Sequence, residues 1–418
     1  MPNDLRHQRQ AWSSLLASTL AFTVCFMAWM MFGVIGLPIR DALNLSDTRF
    51  GLLMATPILA GALVRAPLGI WSERWGGRFT MTVLLLVCAP GIWLLSLATQ
   101  YWQLLLAGLF VGLAGGAFAV GIPYVARWFA QGQQGMAMGV YGSGNVGAAL
   151  NQLVAPTLVV AFGWQVVPQV YAILILLVAV VFWWSSHEQP TRRAAPPTRL
   201  MDQLRLLRQP QVLRYCQYYA VVFGGFVGLA LWLVQYYVGE YGMNIRTAAL
   251  MAAFFALPGG LARGLGGWLA DRYGPHPVTW GVLWVSWVCL FVLSYPPTSF
   301  TIHTTHGPQT FEWRLNVYVF TALLSVLGIA WAFGRASVFK YISQNHPDDL
   351  GAVSGLVGMA GGLGGFVLPI VFGVLMDWTG IRSSAFMLLY ALVWLSLIWM
   401  YWADVRKTEM MGENLNNK

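Results

Sequence analysis

Long apolar segments alternate with short polar segments along the chain from Trp12 to Trp402. Each apolar segment has about 20 residues or more, which is the length an α-helix needs to cross the hydrocarbon core of a bilayer. Short stretches rich in glycine, proline or charge separate these segments. The pattern predicts twelve transmembrane helices, here called spans 1 to 12, at residues 12–37, 49–71, 79–99, 102–128, 136–161, 165–185, 213–238, 247–270, 277–296, 316–341, 351–375 and 382–404.

One polar segment is longer than the others and divides the spans into two groups of six. Residues 186–212 contain four prolines and five arginines. We interpret them as a basic, proline-rich cytosolic linker between an N-terminal six-helix bundle, residues 1–185, and a C-terminal bundle, residues 213–404. Residues 405–418 then form a short cytosolic tail.

The composition excludes a soluble protein. Of the 418 residues, 58% are hydrophobic and 9% are charged, whereas soluble proteins carry about 25% charged residues. Twelve spans leave no room for a soluble catalytic domain, and they hold no acid or histidine for catalysis inside the membrane, so we do not expect an enzyme. The four cysteines have no metal-ligand or redox spacing, and we expect neither a metal nor a cofactor.

The net charge of +9 is explained by orientation in the membrane. Lys and Arg concentrate in the tails, the linker and every second loop, while the remaining loops hold only Arg40, Arg49, Arg246, Arg314 and Arg382. Because basic residues are enriched on the cytosolic side, we predict a multi-pass protein of the inner membrane with both termini in the cytoplasm. Membrane lipid is then the expected surrounding partner, and the basic linker gives no reason to predict nucleic acid binding.

The two halves repeat one another in sequence. Residues 61–77 align with residues 259–275, pairing Arg65 with Arg263, Gly69 with Gly267, Glu73 with Asp271 and Gly76 with Gly274. A second alignment pairs Gly142 with Gly355 and Pro156 with Pro369, with a longer loop at residues 297–315 absorbing the difference in spacing. Two such repeats are typical of transporters in which a site near the midplane opens alternately to either side.

The loop that follows spans 2 and 8 carries a family motif. It reads Gly69-x-x-x-Glu73-Arg74-x-Gly76-x-Arg78 in the first half and Gly267-x-x-x-Asp271-Arg272-x-Gly274 in the second, where Pro275 and His276 replace the last basic residue. With its two six-helix halves, the chain resembles the major facilitator superfamily. The resemblance implies an all-α polytopic membrane protein with twelve transmembrane helices in two pseudo-symmetric bundles.

The charged residues of this motif are candidates for a cytosolic latch. An acid at a helix end can pair with arginines and cap a neighbouring helix. We therefore expect gating contacts from Glu73, Arg74, Arg78, Asp271 and Arg272. The alternative is that these residues are solvated loop charges.

Two arginines are predicted near the middle of the membrane. Arg65 and Arg263 each lie nine residues before a motif arginine, which along a helix is about 13 Å, nearly half the hydrocarbon thickness. A cation at this depth costs about 2.5–3.5 kcal/mol, so it normally faces an aqueous cavity and has a partner. Since none of the fifteen acids falls in the middle of a span, we predict that the pair holds a substrate anion. The alternative is that both bind backbone carbonyls or extend towards water.

Glycine and aromatic residues add further candidates. Span 5 reads GVYGSGNVGAALNQLVAP and span 11 reads SGLVGMAGGLGGFVLP, and dense glycine serves either close helix packing or backbone approach to a small ligand. Asn145, in the first of these runs, is an amide that can donate to an anion. Tyr219 and Phe223 share one face of span 7 and Phe118 lies in span 4, although aromatic residues at this spacing are more often core. A planar anion such as nitrate suits two arginine forks better than phosphate does.

The glycine runs resemble the two signatures of the nitrate/nitrite porter family, and the resemblance covers nearly the whole chain. It implies that Arg65 and Arg263 clamp nitrate, that Phe118, Tyr219 and Phe223 sandwich it, and that Asn145 completes the polar shell. It also places Gly144, Gly147, Gly358 and Gly361 among the binding residues. A monomer that transports nitrate, and nitrite with it, by secondary active transport is therefore expected.

The coupling of transport to a second ion remains open between two mechanisms. A membrane potential that is negative inside opposes entry of a lone anion by about 2.3 kcal/mol per 100 mV, so a co-ion or counter-ion is required. Spans without Asp, Glu or His favour nitrate/nitrite antiport. Arg335 in span 10 is a possible coupling residue, because the resemblance implies a basic residue there in compact proton-coupled importers; it can also extend to the inner surface. We predict proton-coupled nitrate import for assimilation, with antiport, or transport of another small inorganic anion, as alternatives.

Overall fold

The number and order of the predicted spans are confirmed. A computed structural model describes residues 2–130, 133–188, 205–346 and 350–416. Within these residues, eleven helices are long and apolar enough to cross a membrane, and a pair bent by 45° at one break brings the number to twelve. The all-α prediction therefore holds, with one exception outside the membrane.

The helices of spans 2 to 6 begin and end within about four residues of the predicted limits, whereas span 1 extends beyond its predicted limits at both ends. They are Pro2–Trp29 with Phe32–Leu43 (span 1), Asp47–Trp75 (span 2), Gly77–Leu95 (span 3), Tyr101–Gly112 with Leu113–Gly116 and Ala117–Ala126 (span 4), Gln134–Gly142 with Ser143–Val146 and Gly147–Phe162 (span 5), and Val166–Ser185 (span 6).

The second half follows the same plan. After a short helical turn at Leu206–Arg208, its helices are Pro210–Tyr219 with Ala220–Gly224 and Gly225–Tyr241 (span 7), Ile245–Leu261 with Arg263–Tyr273 (span 8), Pro275–Ser294 (span 9), Val317–Asn345 (span 10), Leu350–Thr379 (span 11) and Ser384–Asn416 (span 12). Of the predicted linker, residues 189–204 lie outside the described residues, so the linker and the two-bundle boundaries stay predictions.

Several spans are interrupted near their middle, which the hydrophobic pattern did not predict. Spans 4 and 5 contain 3₁₀ turns at Leu113–Gly116 and Ser143–Val146, and span 7 contains a π turn at Ala220–Gly224. Span 8 breaks at Ala262, directly before Arg263. Irregular backbone at membrane depth is tolerated where protein or a water-filled cavity surrounds it. Protein surrounds the turn of span 4, where a Cβ added on Gly115 would lie 2.7 Å from the Trp29 ring.

The expected long loop at residues 297–315 is instead mostly a β-hairpin. Strands β1, Thr298–Thr304, and β2, Gly307–Trp313, pair in antiparallel register with Phe300 opposite Phe311. The physical reason is the alternation of apolar and polar residues in β1, which is a strand signal. Gly307, at φ +105°, closes the turn in a conformation that favours glycine.

The internal repeat is visible in the backbone. Gly76 and Gly274, which the alignment paired, have φ of 90° and 85° and each ends its span in the left-handed region. Both positions let the chain turn directly into the next helix, which begins at Gly77 or at Pro275. The end of the bundle that carries these turns is called the Arg74 face below, and the opposite end is called the Asp47 face.

Spans 2 and 11 close the two halves against each other at the Asp47 face. A Cβ atom placed on Gly51 would lie 2.3 Å from the carbonyl oxygen of Pro369, so only glycine allows this approach. The Asp377 carboxylate accepts hydrogen bonds from the backbone N–H of Asp47, at 3.0 Å, and of Thr48, at 2.8 Å. Asp377 of the second half therefore caps the first turn of span 2 in the first half.

Candidate anion site

Arg65 reaches from the first half into the second. It is partly buried in span 2, and its Nη1 donates to the carbonyl oxygen of Gly358 in span 11 at 3.1 Å, while its Nε donates to that of Gly115 in span 4 at 3.4 Å. Its guanidinium carbon lies 5.6 Å from the ring centroids of both Phe118 and Phe223. Its hydrogen-bond acceptors are thus neutral carbonyls, which leave its charge uncompensated.

Arg263 faces the same ring from the second half. It is the first residue after the break in span 8, and its guanidinium carbon lies 5.4 Å from the Phe118 centroid and 5.8 Å from that of Phe339. Its side chain runs along Gly142, where an added Cβ would lie 3.1 Å from the arginine Cδ. Its Nη1 is buried and has no hydrogen-bond partner among the described residues. The structure therefore brings the two predicted arginines together around Phe118.

No described acid forms an ion pair with either arginine. The ion pairs of the described residues join Arg40 to Asp47, Arg314 and Arg382 to Glu240, and Lys340 to Asp271. These pairs involve residues at the ends of spans or in loops, not in the middle of a span. Within the described residues, no carboxylate therefore compensates the charge of the two arginines, and buried cations in membrane spans normally have a partner.

Aromatic rings form one wall beside Arg65. Tyr219 and Phe223 stack with their centroids 5.2 Å apart and their planes at 12°. Phe339 of span 10 packs edge-on against Tyr219, with its centroid at 5.2 Å. Phe339 and Trp29, whose ring centroid lies 5.7 Å from the Arg65 guanidinium carbon, were not predicted. In a chain with 14% aromatic residues, no spacing along one helix distinguishes them.

Asn145 carries an unpaired buried amide. Its side chain is 1% exposed, and Nδ2 has no hydrogen-bond partner among the described residues. It lies in the 3₁₀ turn of span 5 that packs on span 8, where a Cβ on Gly260 would lie 2.8 Å from the backbone nitrogen of Val146. A buried donor without a partner costs about 1–3 kcal/mol. This amide lies in a turn that packs against the last turn before the break that precedes Arg263, and it is a donor available to a bound anion.

Two predicted glycines of span 5 pack against span 1 instead of facing the arginines. A Cβ on Gly144 would lie 2.3 Å from Cδ1 of Phe22, and one on Gly147 would lie 2.2 Å from the carbonyl oxygen of Thr23. These contacts assign both glycines to close helix packing. Of the two uses of dense glycine considered from the sequence, the packing use applies here.

The two predicted glycines of span 11 differ from each other. A Cβ on Gly361 would lie 2.4 Å from Cδ1 of Tyr219, so this glycine makes room for the aromatic wall. A Cβ on Gly358 would meet no atom within 4 Å, although Gly358 is buried and its carbonyl accepts from Arg65. Open space therefore lies beside Arg65 at this position.

Arg335 is fully buried behind the site. Its side chain is 0% exposed, its Nε donates to the carbonyl oxygen of Trp331 at 3.2 Å, and its Nη2 donates to that of Gly259. Its guanidinium carbon lies 4.2 Å from the centroid of Phe226. Arg335 thus does not extend to the inner surface; it binds a carbonyl in the last turn before span 8 breaks, where the helix dipole is negative.

The predicted latch residues make their described contacts within one half. Asp271 pairs with Lys340 at 2.6 Å, and the Arg272 guanidinium carbon lies 5.5 Å from the Trp268 centroid. In the first half, Nη2 of Arg78 donates to the carbonyl oxygen of Trp183 at 2.6 Å. Arg74 is exposed, with its guanidinium carbon 5.8 Å from the centroid of the neighbouring Trp75. The side chain of Glu73 lies outside the described residues, and the latch stays a prediction.

Comparison with known proteins identifies the family. Residues 17–311 match the model of the Major Facilitator Superfamily. The chain belongs to this superfamily. It is a transporter-family membrane protein with several spans and not an enzyme, as predicted.

The relatives of the chain include nitrate and nitrite transporters. The chain is 37% identical over 416 residues to the probable nitrate/nitrite antiporter NarK1 of Thermus thermophilus, covering 96% of this chain and 94% of that protein. It is 28% identical over 409 residues to the nitrite extrusion protein of Bacillus subtilis strain 168, covering 96% and 98%. The predicted resemblance to nitrate/nitrite porters is therefore confirmed.

A solved transporter structure has the same fold as this chain. A bacterial homolog of the human lysosomal transporter Spinster, in an inward-facing and occupied conformation, superposes with a TM-score of 0.70 at 16% sequence identity. The match covers 93% of this chain and 96% of that chain. At this level of identity the likeness shows the fold alone.

Proposed function

We propose that this protein is a secondary active transporter that moves nitrate, and nitrite with it, across the inner membrane by alternating access. The observation that carries the proposal is the pair of arginines, one from each half, that face the same Phe118 ring with no described carboxylate to neutralise them. The names of the relatives, a probable nitrate/nitrite antiporter and a nitrite extrusion protein, support the choice of anion.

The site suits a small planar oxyanion. A guanidinium fork binds two oxygens of such an anion in one plane, and the Nη1 of Arg263 and the Nδ2 of Asn145 are donors without a described partner. The anion can take the place of the Gly358 carbonyl as a partner of Arg65. The flat Phe118 and Phe223 rings beside the guanidinium groups leave room for a flat anion but offer few additional donors for a tetrahedral phosphate.

Binding of one anion by both arginines connects the two halves. An anion held from both sides stabilises a state in which the halves approach each other, which is the requirement for alternating access. At the Asp47 face, the two halves are joined by the Asp377 cap on span 2. Opening of that face must break these hydrogen bonds.

The Arg74 face is proposed to be cytosolic. It carries the Lys- and Arg-rich loops and both chain termini, and basic residues favour the cytosolic side. The inner membrane and the cytoplasmic location of both termini follow from the same rule. One chain supplies both arginines, which supports a monomer as the transporting unit.

Proton-coupled import is proposed for the coupling, with nitrate/nitrite antiport as the second candidate. The compact chain and the basic Arg335 support import, whereas the absence of a mid-span acid among the described residues and the antiporter name of one relative support exchange. The guanidinium group of arginine keeps its charge in proteins. Its role in coupling is therefore that of a fixed buried charge, and a proton would cross by water or tyrosine hydroxyls.

Nitrate accumulation in proteoliposomes tests both parts of the proposal. Vesicles without internal nitrate or nitrite are assayed with and without an inward proton gradient, and again with nitrite inside. Accumulation driven by the proton gradient in empty vesicles establishes import with protons, whereas accumulation only against internal nitrite establishes antiport. Absence of nitrate movement under both conditions contradicts the choice of anion. Vesicles without protein measure the passive leak of nitrate.

A further inference from the structure

The β1–β2 hairpin has one apolar and one polar face. Residues opposite each other on paired strands project to the same face. The pair of Phe300 and Phe311, with ring centroids 6.3 Å apart, therefore shares a face with Ile302 and Trp313. The polar residues of this face are Thr298, Thr304 and Gln309. The other face holds Ser299, Thr301, His303, Thr310 and Glu312, and the hydroxyls of Thr301 and Thr310 lie 3.1 Å apart on it.

The apolar face is exposed. Phe300, Ile302 and Phe311 have 44%, 49% and 46% of their surface accessible. Alternating strands usually bury their apolar side on a core. A two-stranded hairpin alone is marginally stable in water, so burial of this apolar face would stabilise the hairpin.

The apolar face continues the outer surface of span 9. A cleft of about 320 Å³ lies between the hairpin and the end of this span, lined by Phe291, Val292, Tyr295, Phe300 and Trp313. Phe291 is 54% exposed, and exposed apolar residues of a membrane span face lipid. The rings of Tyr295 and Trp313 meet edge-on with centroids 4.7 Å apart, and these two residue types are enriched at the membrane–water interface.

The base of the hairpin is fixed at this level. Arg314, directly after β2, donates to the carbonyl oxygen of Glu240 at the end of span 7, and its Nε lies 3.8 Å from the Glu240 carboxylate. The Tyr241 hydroxyl donates to the carbonyl oxygen of Leu315 at 3.1 Å. These contacts hold the hairpin beside the ends of spans 7 and 9 instead of leaving it free above the membrane.

We propose that the β1–β2 hairpin is a membrane-interface element whose apolar face inserts among phospholipid acyl chains, with an acyl chain in the cleft beside span 9. The polar face, with its threonines, His303 and Glu312, then faces water. The proposed binding partner is the acyl chain and not an anionic headgroup. The two strands carry no Lys or Arg to bind a headgroup, and Arg314 is paired with Glu240. Lipid at the outer end of span 9 is present in any membrane that holds this protein.

Fluorescence quenching at two adjacent positions tests the proposal. Ile302→Cys and Thr301→Cys place a thiol on the apolar and on the polar face of the same strand, and both positions are exposed, so neither change disturbs a core. Each full-length variant is labelled with an environment-sensitive fluorophore in phosphatidylcholine nanodiscs. Quenching is then measured with spin-labelled acyl chains and with aqueous iodide. The parent chain, whose four cysteines are buried, gives the background labelling.

The expected result is that the two labels respond in opposite order to the lipid quencher and to iodide. The label at residue 302 should be quenched several-fold more by spin-labelled lipid than the label at residue 301, and several-fold less by iodide. Equal iodide quenching at both sites would place the hairpin in water and overturn the proposal. Protection of residue 302 from both quenchers would also overturn it, because protein, such as a second copy of the chain, would then cover this face.

Discussion

At the residue scale, the candidate site depends on contacts that only arginine can make. Arg65 donates to two carbonyls from different spans while its planar group lies near three aromatic rings. Lysine retains the charge, but its compact ammonium group has neither the fork nor the flat face. The site therefore distinguishes between two residues of equal charge.

Arg65→Lys and Arg263→Lys should each reduce nitrate uptake strongly. The loss of a charge-assisted bidentate contact, about 1.5–3 kcal/mol, corresponds to about a tenfold to hundredfold weaker nitrate affinity. The measurement is the concentration dependence of uptake in proteoliposomes, with Arg246→Lys, an exposed arginine outside the site, as the matched control. Normal uptake by both variants at equal expression would remove the arginines from the site.

Two buried asparagines of span 5 provide a second comparison. Asn145 has an unpaired Nδ2, whereas Nδ2 of Asn151 donates to the carbonyl oxygen of Met30 at 3.0 Å and its Oδ1 accepts from the Tyr171 hydroxyl, also at 3.0 Å. Asn151→Ala should lower the free energy of unfolding by about 1–3 kcal/mol, because it leaves buried partners unpaired. Asn145→Ala should weaken nitrate affinity without this loss of stability.

Thermal unfolding in detergent and nitrate affinity, measured on both variants, check this expectation. Unchanged affinity in Asn145→Ala would return Asn145 to the packing residues of span 5. A loss of stability as large as that of Asn151→Ala would indicate a partner for Asn145 within the protein.

At the element scale, the break in span 8 decides where Arg263 points. The helix Ile245–Leu261 ends at Ala262, and the next helix leaves at 45°. Arg335 donates to the Gly259 carbonyl in the last turn before the break and thus occupies an acceptor near the helix end. One buried arginine in span 10 therefore supports the position of another in span 8.

Arg335→Leu should lower both stability and nitrate affinity. The change leaves the carbonyl of Gly259, next to the helix break, without its arginine donor, at a cost of about 1–3 kcal/mol. It also releases the turn that precedes Arg263. Arg335→Lys, which retains a charged donor, should recover part of both losses. Unchanged affinity in a destabilised Arg335→Leu variant would show that Arg335 stabilises span 10 without positioning span 8.

At the scale of the whole molecule, the two halves are joined at the Asp47 face by a small number of polar contacts. The Asp377 carboxylate accepts from two backbone N–H groups and from the Thr48 hydroxyl at 2.6 Å. Asp47 in turn accepts from Gln235 at 2.7 Å and pairs with Arg40 at 2.9 Å. Because these groups lie at the ends of spans, the contacts can form and break without exposing the apolar core.

Asp377→Asn should favour opening of the Asp47 face. An amide keeps the size of the carboxylate but loses the charge that stabilises the helix N-terminus, about 0.3–1 kcal/mol. The observable is the rate at which a membrane-impermeant thiol reagent labels Ile58→Cys. Ile58 belongs to span 2 and is fully buried where this span packs on Gly365 of span 11. The rate should rise several-fold.

Glu312→Gln is the control for this experiment, because Glu312 is an exposed acid on the polar face of the β1–β2 hairpin and has no predicted gating role. It should leave the labelling rate at residue 58 unchanged. Equal rates in the parent chain and in Asp377→Asn would show that glycine packing between spans 2 and 11 closes this face without the carboxylate.

The fold was predictable in large part because membrane helices are encoded locally. The length of each span, the glycine at its end and the charge of the following loop are all visible in one short segment of sequence. The superfamily motif also lies within ten residues, Gly69 to Arg78. The hairpin was not predicted, although Phe300 and Ile302 alternate with polar residues, because each strand has only seven residues and gives a weak periodic signal. The breaks in spans 4, 5, 7 and 8 do not change hydrophobicity and so leave little signal in the pattern.

The sequence by itself determined that two cations, Arg65 and Arg263, lie at equivalent depths in two repeated halves with no acid at that depth. The reason is that depth and charge are properties of position along a helix. Only the tertiary structure decided that both face Phe118, that Gly358 leaves open space while Gly144 and Gly147 serve packing, and that Asn145 is unpaired. These properties depend on which other helix lies opposite each residue, and spacing along one helix carries no information about its neighbours.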